Sequence, residues 1–245
     1  MNGFVLINKP CGVTSFSVTG KVRRALSADK AGHAGTLDPI ATGVLPVMVG
    51  RATKLIDILP DEKKTYLAGF MLGMTTDTLD CEGEVLTDQP VNVTKEQLES
   101  AIALFTGEIE QIPPMYSAIK QNGVPLYKLA RQGKTVEVKS RVITIHSLEL
   151  LSFDGVNGVF DVLCSKGTYI RTLCNDIGKS LGCFGCMESL LRTKVADYTI
   201  ENALRLSEIE ELVKNNPVEA WNFVGSVDSV FMHFSKVETL DKAKK

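Results

Sequence analysis

Apolar residues in this chain recur at two periods, and the order in which those periods follow one another limits the fold more than anything else. Lys64 to Gly73 alternates, placing Tyr66, Ala68, Phe70 and Leu72 on one face, the pattern of a half-buried strand. Val44 to Val49 reads as a buried strand, and Val142 to Leu151 and Val159 to Cys164 are strand-like. The 3.6-residue period appears between them. Thr14-Ser15 caps a helix carrying Val18, Val22, Ala25 and Leu26 on one face. Thr94-x-x-Gln97 is a capping box, with Leu98, Ala101, Ile102 and Phe105 inward and Gly107 past the helix end. After an Asn122-Gly123 turn comes a short basic helix, Leu126 to Arg131, ending at Gly133. Tyr169 to Leu181 carries Ile170, Leu173, Cys174, Ile177 and Leu181 on its apolar face and is closed by Gly182. Ala31 to Pro39 is a Gly-rich loop, and an acidic helix is expected over Ser207 to Lys214. Strands and helices mix without regular βαβ alternation. The expected class is α+β.

With 245 residues, 44% of them apolar, the chain can bury one large core, and no linker divides residues 1–205. The longest apolar run, Ile40 to Gly50, is broken by Gly43 and Pro46 and is far too short for a membrane span. Met1 to Pro10 lacks a basic region and a cleavage site, so a cytoplasmic chain is expected. Its six cysteines then read as reduced thiols. Net charge is -2, yet the charges are segregated. Residues 1–54 hold seven bases against two acids, and residues 115–141 hold six against one. Residues 76–112 hold nine acids and only Lys95. Such segregation permits a basic face for a polyanion, and is equally what solvated faces look like.

Several chemistries are excluded by their missing motifs. There is no G-x-S-x-G, no Walker loop and no G-x-G-x-x-G. His33, His146 and His233 are widely separated, and Cys183-x-x-Cys186 stands without a second pair, so no metal site is expected. Asp77, Asp80, Glu82 and Glu84 lack EF-hand spacing and read as a polar turn. The informative stretch is Gly32-His33-Ala34-Gly35-Thr36-Leu37-Asp38-Pro39. Its glycines let the backbone approach a ligand, and Asp38 is either an acid/base or nucleophile, or a turn-forming residue before proline. Lys166 to Arg171 is either an anion clamp or a basic helix face in water.

The ordered motifs go further. Lys9-Pro10-x-Gly12-x-Thr14-Ser15 is followed by Gly32-His33-x-Gly35-Thr36-Leu37-Asp38-Pro39-x-Ala41-x-Gly43-Val44-Leu45. Lys64-Thr65-Tyr66, Thr76-Asp77-Thr78-x-Asp80-x-x-Gly83 and Pro113-Pro114-Met115-Tyr116-Ser117-Ala118-Ile119-Lys120 come next. Leu126-Tyr127-x-Leu129-Ala130-Arg131-x-Gly133 and Ser165-Lys166-Gly167-Thr168-Tyr169-Ile170-Arg171 complete the series. Together, over residues 4–203, these blocks make the chain resemble the bacterial tRNA pseudouridine-55 synthase family of the TruB type. One departure is Leu190-Leu191-Arg192-Thr193-Lys194-Val195-Ala196, where the family often shows Leu-Arg-Arg-Thr-x-x-Gly.

The resemblance implies a mixed, largely antiparallel central sheet flanked by helices and loops, with a cleft for a uridine flipped out of the tRNA T-arm loop. It implies Asp38 as the catalytic aspartate, Arg171 as its ion-pair partner, and Tyr66 stacking on the target base. Tyr169 and Lys166 line the cleft, His33 contacts the rearranged loop, and Lys9 belongs to a first motif that is mainly structural but adjoins the substrate. Residues 1–205 form the catalytic domain. Within it, 115–141 is an RNA-gripping insertion in which Lys120, Lys128 and Arg131 face phosphates. Residues 206–245 are too few for the PUA-type domain many members carry. No cofactor, metal, membrane or protein partner is implied. Uridine isomerisation breaks a C–N bond and forms a C–C bond with no change of oxidation state, so it needs none. Two rivals remain at this point: a tRNA-binding protein without chemistry, and a synthase for another RNA.

Overall fold

The computed structural model describes residues 2–58, 63–215 and 224–225. The first strands are β1 (Gly3–Lys9), β2 (Ala31–His33), β3 (Thr42–Val49) and β4 (Lys64–Leu72), with helix α1 (Ser15–Ala25) after β1. A ribbon of β5 (Met74–Thr76) and β6 (Val85–Asp88) precedes α2 (Lys95–Ala103) and β7 (Gly107–Gln111). Next come β8 (Lys120–Gln121), β9 (Val124–Pro125) and α3 (Leu126–Ala130), then the long pair β10 (Arg141–Phe153) and β11 (Asn157–Cys164). Helix α4 (Ile170–Ser180), β12 (Gly185–Val195), β13 (Tyr198–Thr199) and α5 (Leu206–Asn215) follow. The expected α+β class and largely antiparallel sheet are what the chain adopts. Of the segment expected over 206–245, residues 216–223 and 226–245 lie outside the described residues.

The chain divides into two compact units, Met1–Glu62 with Arg192–Lys245, and Lys63–Leu191. In the first, β1 pairs antiparallel with β3 from Gly3 opposite Val49 to Lys9 opposite Gly43. The short β2 also pairs with β3, His33 opposite Val47. Its three residues lie inside the stretch expected to be all loop, because β3 offers them a ladder that a lone sequence pattern does not reveal. Phe4, Leu6, Val44, Met48 and Val195 pack into one core, with Tyr198 tilted on Phe4 at 5.1 Å between ring centroids. Gly43 has φ +103, and a Cβ there would run into the Arg192 backbone, so this position requires glycine. Thr14 caps α1 by accepting from the Ser17 amide at 3.1 Å.

The second unit is built on consecutive antiparallel pairings of β4 with β11, β11 with β10, and β10 with β7. Tyr66, Ala68, Phe70 and Leu72 are buried, as the alternation requires. Phe70 stacks on Phe160 at 4.0 Å. Helix α4 buries Ile170, Leu173, Cys174 and Ile177, and α2 buries Leu98, Ala101 and Ile102 behind its capping box. Phe105 falls outside α2, because the helix is capped at Leu104 and Gly107 opens β7. Asn122 and Gly123, at φ 51 and 80, turn β8 into β9 as the sequence signal requires.

Ala196 sits at φ 49, in the left-handed region, where the family the sequence resembles often shows glycine. A Cβ in that region costs about 1–2 kcal/mol, of which the greater backbone entropy lost by glycine on folding takes back part. Ala196→Gly is therefore expected to stabilise the chain by about 1 kcal/mol, read as a rise in the denaturation midpoint. An unchanged or lower midpoint would show that the turn carries no such strain.

Candidate active site

Asp38 lies in the loop after β2, where the backbone has few partners of its own and side chains supply them. Ser15 Oγ donates to the Leu37 carbonyl at 2.8 Å and accepts from the Leu37 amide at 2.9 Å. The Ala41 amide donates to the Asp38 carbonyl at 3.1 Å, closing a turn around Pro39. Lys9 is buried, and its Nζ donates to the carbonyls of Val13 (2.8 Å), Pro10 (2.9 Å) and Pro39 (3.2 Å). Burial pushes the Lys9 ammonium down to about 8, while Cys11 and Asp38 pull the other way. Arg192, also buried, donates from Nε to the Val44 carbonyl at 2.7 Å and from Nη2 to the Gly35 carbonyl at 3.0 Å. The aspartate is thus carried on a turn whose neighbours are pinned from β1, α1 and β12.

His33 is oriented by the same framework. Thr19 Oγ1 commits its one proton to the Ser15 carbonyl at 2.8 Å, so it accepts from His33 Nδ1 at 3.0 Å. That leaves Nε2 as an acceptor, 3.3 Å from Thr36 Oγ1. Burial, and then the Arg192 charge, hold the His33 pKa below its ordinary value. The ring is neutral, with its proton on Nδ1.

Tyr66, Lys166, Tyr169 and Arg171 belong to the second unit. Tyr66 is buried on β4, opposite Val162 of β11. Lys166 is exposed in the loop before α4, and Tyr169 is the half-buried residue that begins the helix. Gln111, at the end of β7, grips the Tyr169 backbone twice, accepting from its amide at 2.7 Å and donating to its carbonyl at 3.0 Å. Arg171 is buried two residues further on. Its Nη1 donates to the Thr78 carbonyl and its Nη2 to the Tyr116 carbonyl, each at 2.7 Å, and Asp80 Oδ2 lies 3.8 Å from Nη1. Asp80 is itself fixed by Thr78 Oγ1 at 2.7 Å and the Glu82 amide at 3.2 Å. Lys120, Lys128 and Arg131 are exposed on the β8–β9 ribbon and α3, with Arg131 5.7 Å over the Tyr127 ring. Buried Leu126 anchors that arm, and its amide donates to the Ile119 carbonyl at 2.7 Å.

Sequence reasoning gave no site role to Ser15, Thr19, Gln111 or Arg192, and it placed Asp80 in a polar turn and a family motif without a role of its own. The helical pattern assigns Thr14-Ser15 to capping, but the structure gives that task to Thr14 and spends Ser15 on Leu37. Among the described residues, no three His, Cys, Asp or Glu side chains are placed to hold a metal ion. Burial raises the thiols of Cys174 and Cys183 and pushes Cys186 up to about 11, so all three are protonated at neutral pH.

The model of the TruB family pseudouridylate synthase N-terminal domain matches residues 23–170. The chain belongs to the TruB family. The model of the tRNA pseudouridylate synthase B C-terminal domain matches residues 171–231. Among TruB relatives, tRNA pseudouridine synthase B of Azoarcus sp. (strain BH72) is 48% identical over 97% of this chain and 78% of its own length. The protein of that name from Francisella tularensis subsp. novicida is 47% identical over 100% and 80%. Of solved structures, the archaeal box H/ACA sRNP Nop10-Cbf5 complex matches with a TM-score of 0.71 at 26% identity. An H/ACA RNP bound to a substrate RNA containing 2'-deoxyuridine matches with a TM-score of 0.70 at 25% identity. The two matches cover 94% and 93% of this chain, which spans 61% and 60% of those longer chains. No helix among the described residues of this TruB member is long and apolar enough to cross a membrane.

Proposed function

We propose that this chain is a tRNA pseudouridine-55 synthase, an isomerase that converts a uridine flipped out of the T-arm loop of tRNA into pseudouridine. The observation that carries the reading is identity of 47–48% over 97–100% of the chain to enzymes named for that reaction. Asp38 is the catalytic carboxylate, attacking the base or the sugar carbon or stabilising the intermediate between bond breaking and bond making. Arg171 favours the ionised form of that carboxylate, and Tyr66 holds the unstacked base, a contact worth about 1–3 kcal/mol. His33, Tyr169 and Lys166 are assigned to the RNA loop, and Lys9 supports it from beneath the Pro39 turn. Residues 1–205 supply catalysis, and the enzyme works with its tRNA in the cytoplasm. No atom is gained or lost in the isomerisation, so the reaction calls for no cofactor.

The test is to incubate unmodified tRNA transcripts with the protein and map pseudouridine. A single modified T-loop position is the expected result. Tight tRNA binding with no pseudouridine would replace the reading with that of a non-catalytic RNA-binding protein, and modification of other RNA alone would replace the substrate.

Flipping a base costs a few kcal/mol, which loop recognition has to offset. We assign much of that grip to Lys120, Lys128, Arg131 and Lys134, all exposed around the Asn122-Gly123 turn. Replacing all four with glutamine is expected to reduce the slope of log affinity against log salt by about three units, since each phosphate contact releases a little under one counterion. The loss should fall on KM and be alike for all tRNA sequences. An unchanged slope would move the grip elsewhere.

A further inference from the structure

Phe16 is the most exposed large apolar side chain among the described residues, at 82%. It stands in the first turn of α1, whose inward face is filled by Val18 and Val22, so the core has no use for it. Residues 16, 20, 23 and 24 share one helix face, spaced by four, seven and eight residues. Position 20 is glycine, and a Cβ there would lie 3.7 Å from Arg24 Nη1. The Arg24 guanidinium therefore lies over Gly20, on the helix face that carries Phe16. Arg23 is exposed beside it. Helix α1 carries Lys21, Arg23 and Arg24 and no acid. Two arginines in a last turn suit the helix dipole, which accounts for the cations but not for the aromatic.

The position of this face matters as much as its chemistry. Ser15, the neighbour of Phe16, exchanges two hydrogen bonds with Leu37, the neighbour of Asp38. Phe16 and Asp38 thus flank the same pair of bonds, which ties the start of α1 to the loop that carries Asp38. An aromatic ring with guanidinium groups on the same helix face is a pattern that stacks a base and pairs the phosphates beside it. We propose that the Phe16–Gly20–Arg23–Arg24 face of α1 is an RNA-binding site for single-stranded loop nucleotides. Phe16 stacks on an unpaired base next to the flipped one, and Arg23 and Arg24 hold the adjoining phosphates. The proposal rests on the pseudouridine synthase reading for the identity of the RNA.

The experiment measures the affinity of the full chain for a T-arm hairpin, and pseudouridine formation in the same hairpin, for the wild type and three variants. Phe16→Ala is expected to weaken binding roughly tenfold, with KM rising more than kcat falls. Phe16→Trp is expected to restore affinity, and its fluorescence to be quenched on addition of RNA. Arg23→Gln/Arg24→Gln is expected to lower the salt slope by more than one unit. If the wild type makes pseudouridine while Phe16→Ala binds the hairpin as tightly, the proposal falls and the enzyme reading stands. If the wild type makes none, yet Phe16→Ala still loses affinity, the enzyme reading falls and the RNA site stands. A change in oligomeric state for Phe16→Ala without a change in RNA affinity would make the face a protein interface and overturn the proposal.

Discussion

Asp38→Asn is expected to abolish pseudouridine formation and to leave tRNA affinity near that of the wild type. The amide keeps the size and planarity of the carboxylate but carries no charge and is a poor nucleophile. The turn itself survives, because its pins act on backbone: Ser15 on Leu37, Lys9 on Pro39 and Arg192 on Gly35. Lys9 loses a favourable neighbour, so its pKa drops further below about 8, a change spread over an ammonium that keeps three carbonyl acceptors. The expected loss is on the order of 10^4- to 10^6-fold in single-turnover rate, the scale on which removing a nucleophile or its partner acts. A rate within tenfold of wild type at unchanged affinity would return Asp38 to the role of a turn residue before proline.

That alternative was open in the sequence for a physical reason. An Asp-Pro turn and a catalytic aspartate have the same local signature, and only long-range contacts separate them. The pins on the Asp38 loop come from 22 residues away at Ser15 and 157 away at Arg192, and no spacing rule reaches that far. The second unit was more legible. Strict alternation in β4 and the capping box of α2 follow from period and capping chemistry alone. Strands β1 and β12 carry no clean alternation. The first is buried at nearly every position, and β12 mixes exposed Glu188 and Ser189 with buried Arg192, so period two vanishes exactly where a strand is covered on both sides or changes its neighbours. The clamp of Gln111 on Tyr169 was equally hidden, because a glutamine before two prolines announces nothing until a helix begins beside it.

Arg171 offers the second large effect, and one that separates catalysis from folding. Arg171 and Asp80 are both buried at 3.8 Å, and Arg171 also satisfies the Thr78 and Tyr116 carbonyls. Arg171→Leu leaves the Asp80 carboxylate buried without this cation and two carbonyls without their donor. Breaking a buried pair from one side costs about 3–5 kcal/mol, so the variant is expected to lose both stability and turnover. Arg171→Leu/Asp80→Leu removes the stranded charge and is expected to regain the part of the stability lost to it, but not the hydrogen bonds of the Thr78 and Tyr116 carbonyls, Thr78 Oγ1 and the Glu82 amide. Turnover should stay lost, because the cation assigned to the Asp38 carboxylate is still missing. Arg171→Lys is a stricter control, for it keeps the cation but loses the two-nitrogen fork that serves the Thr78 and Tyr116 carbonyls separately. Denaturation midpoints read against single-turnover rates for the three variants decide the matter. Turnover that returns with stability in the double variant would make Arg171 a structural cation that holds Thr78 and Tyr116 in place and nothing more.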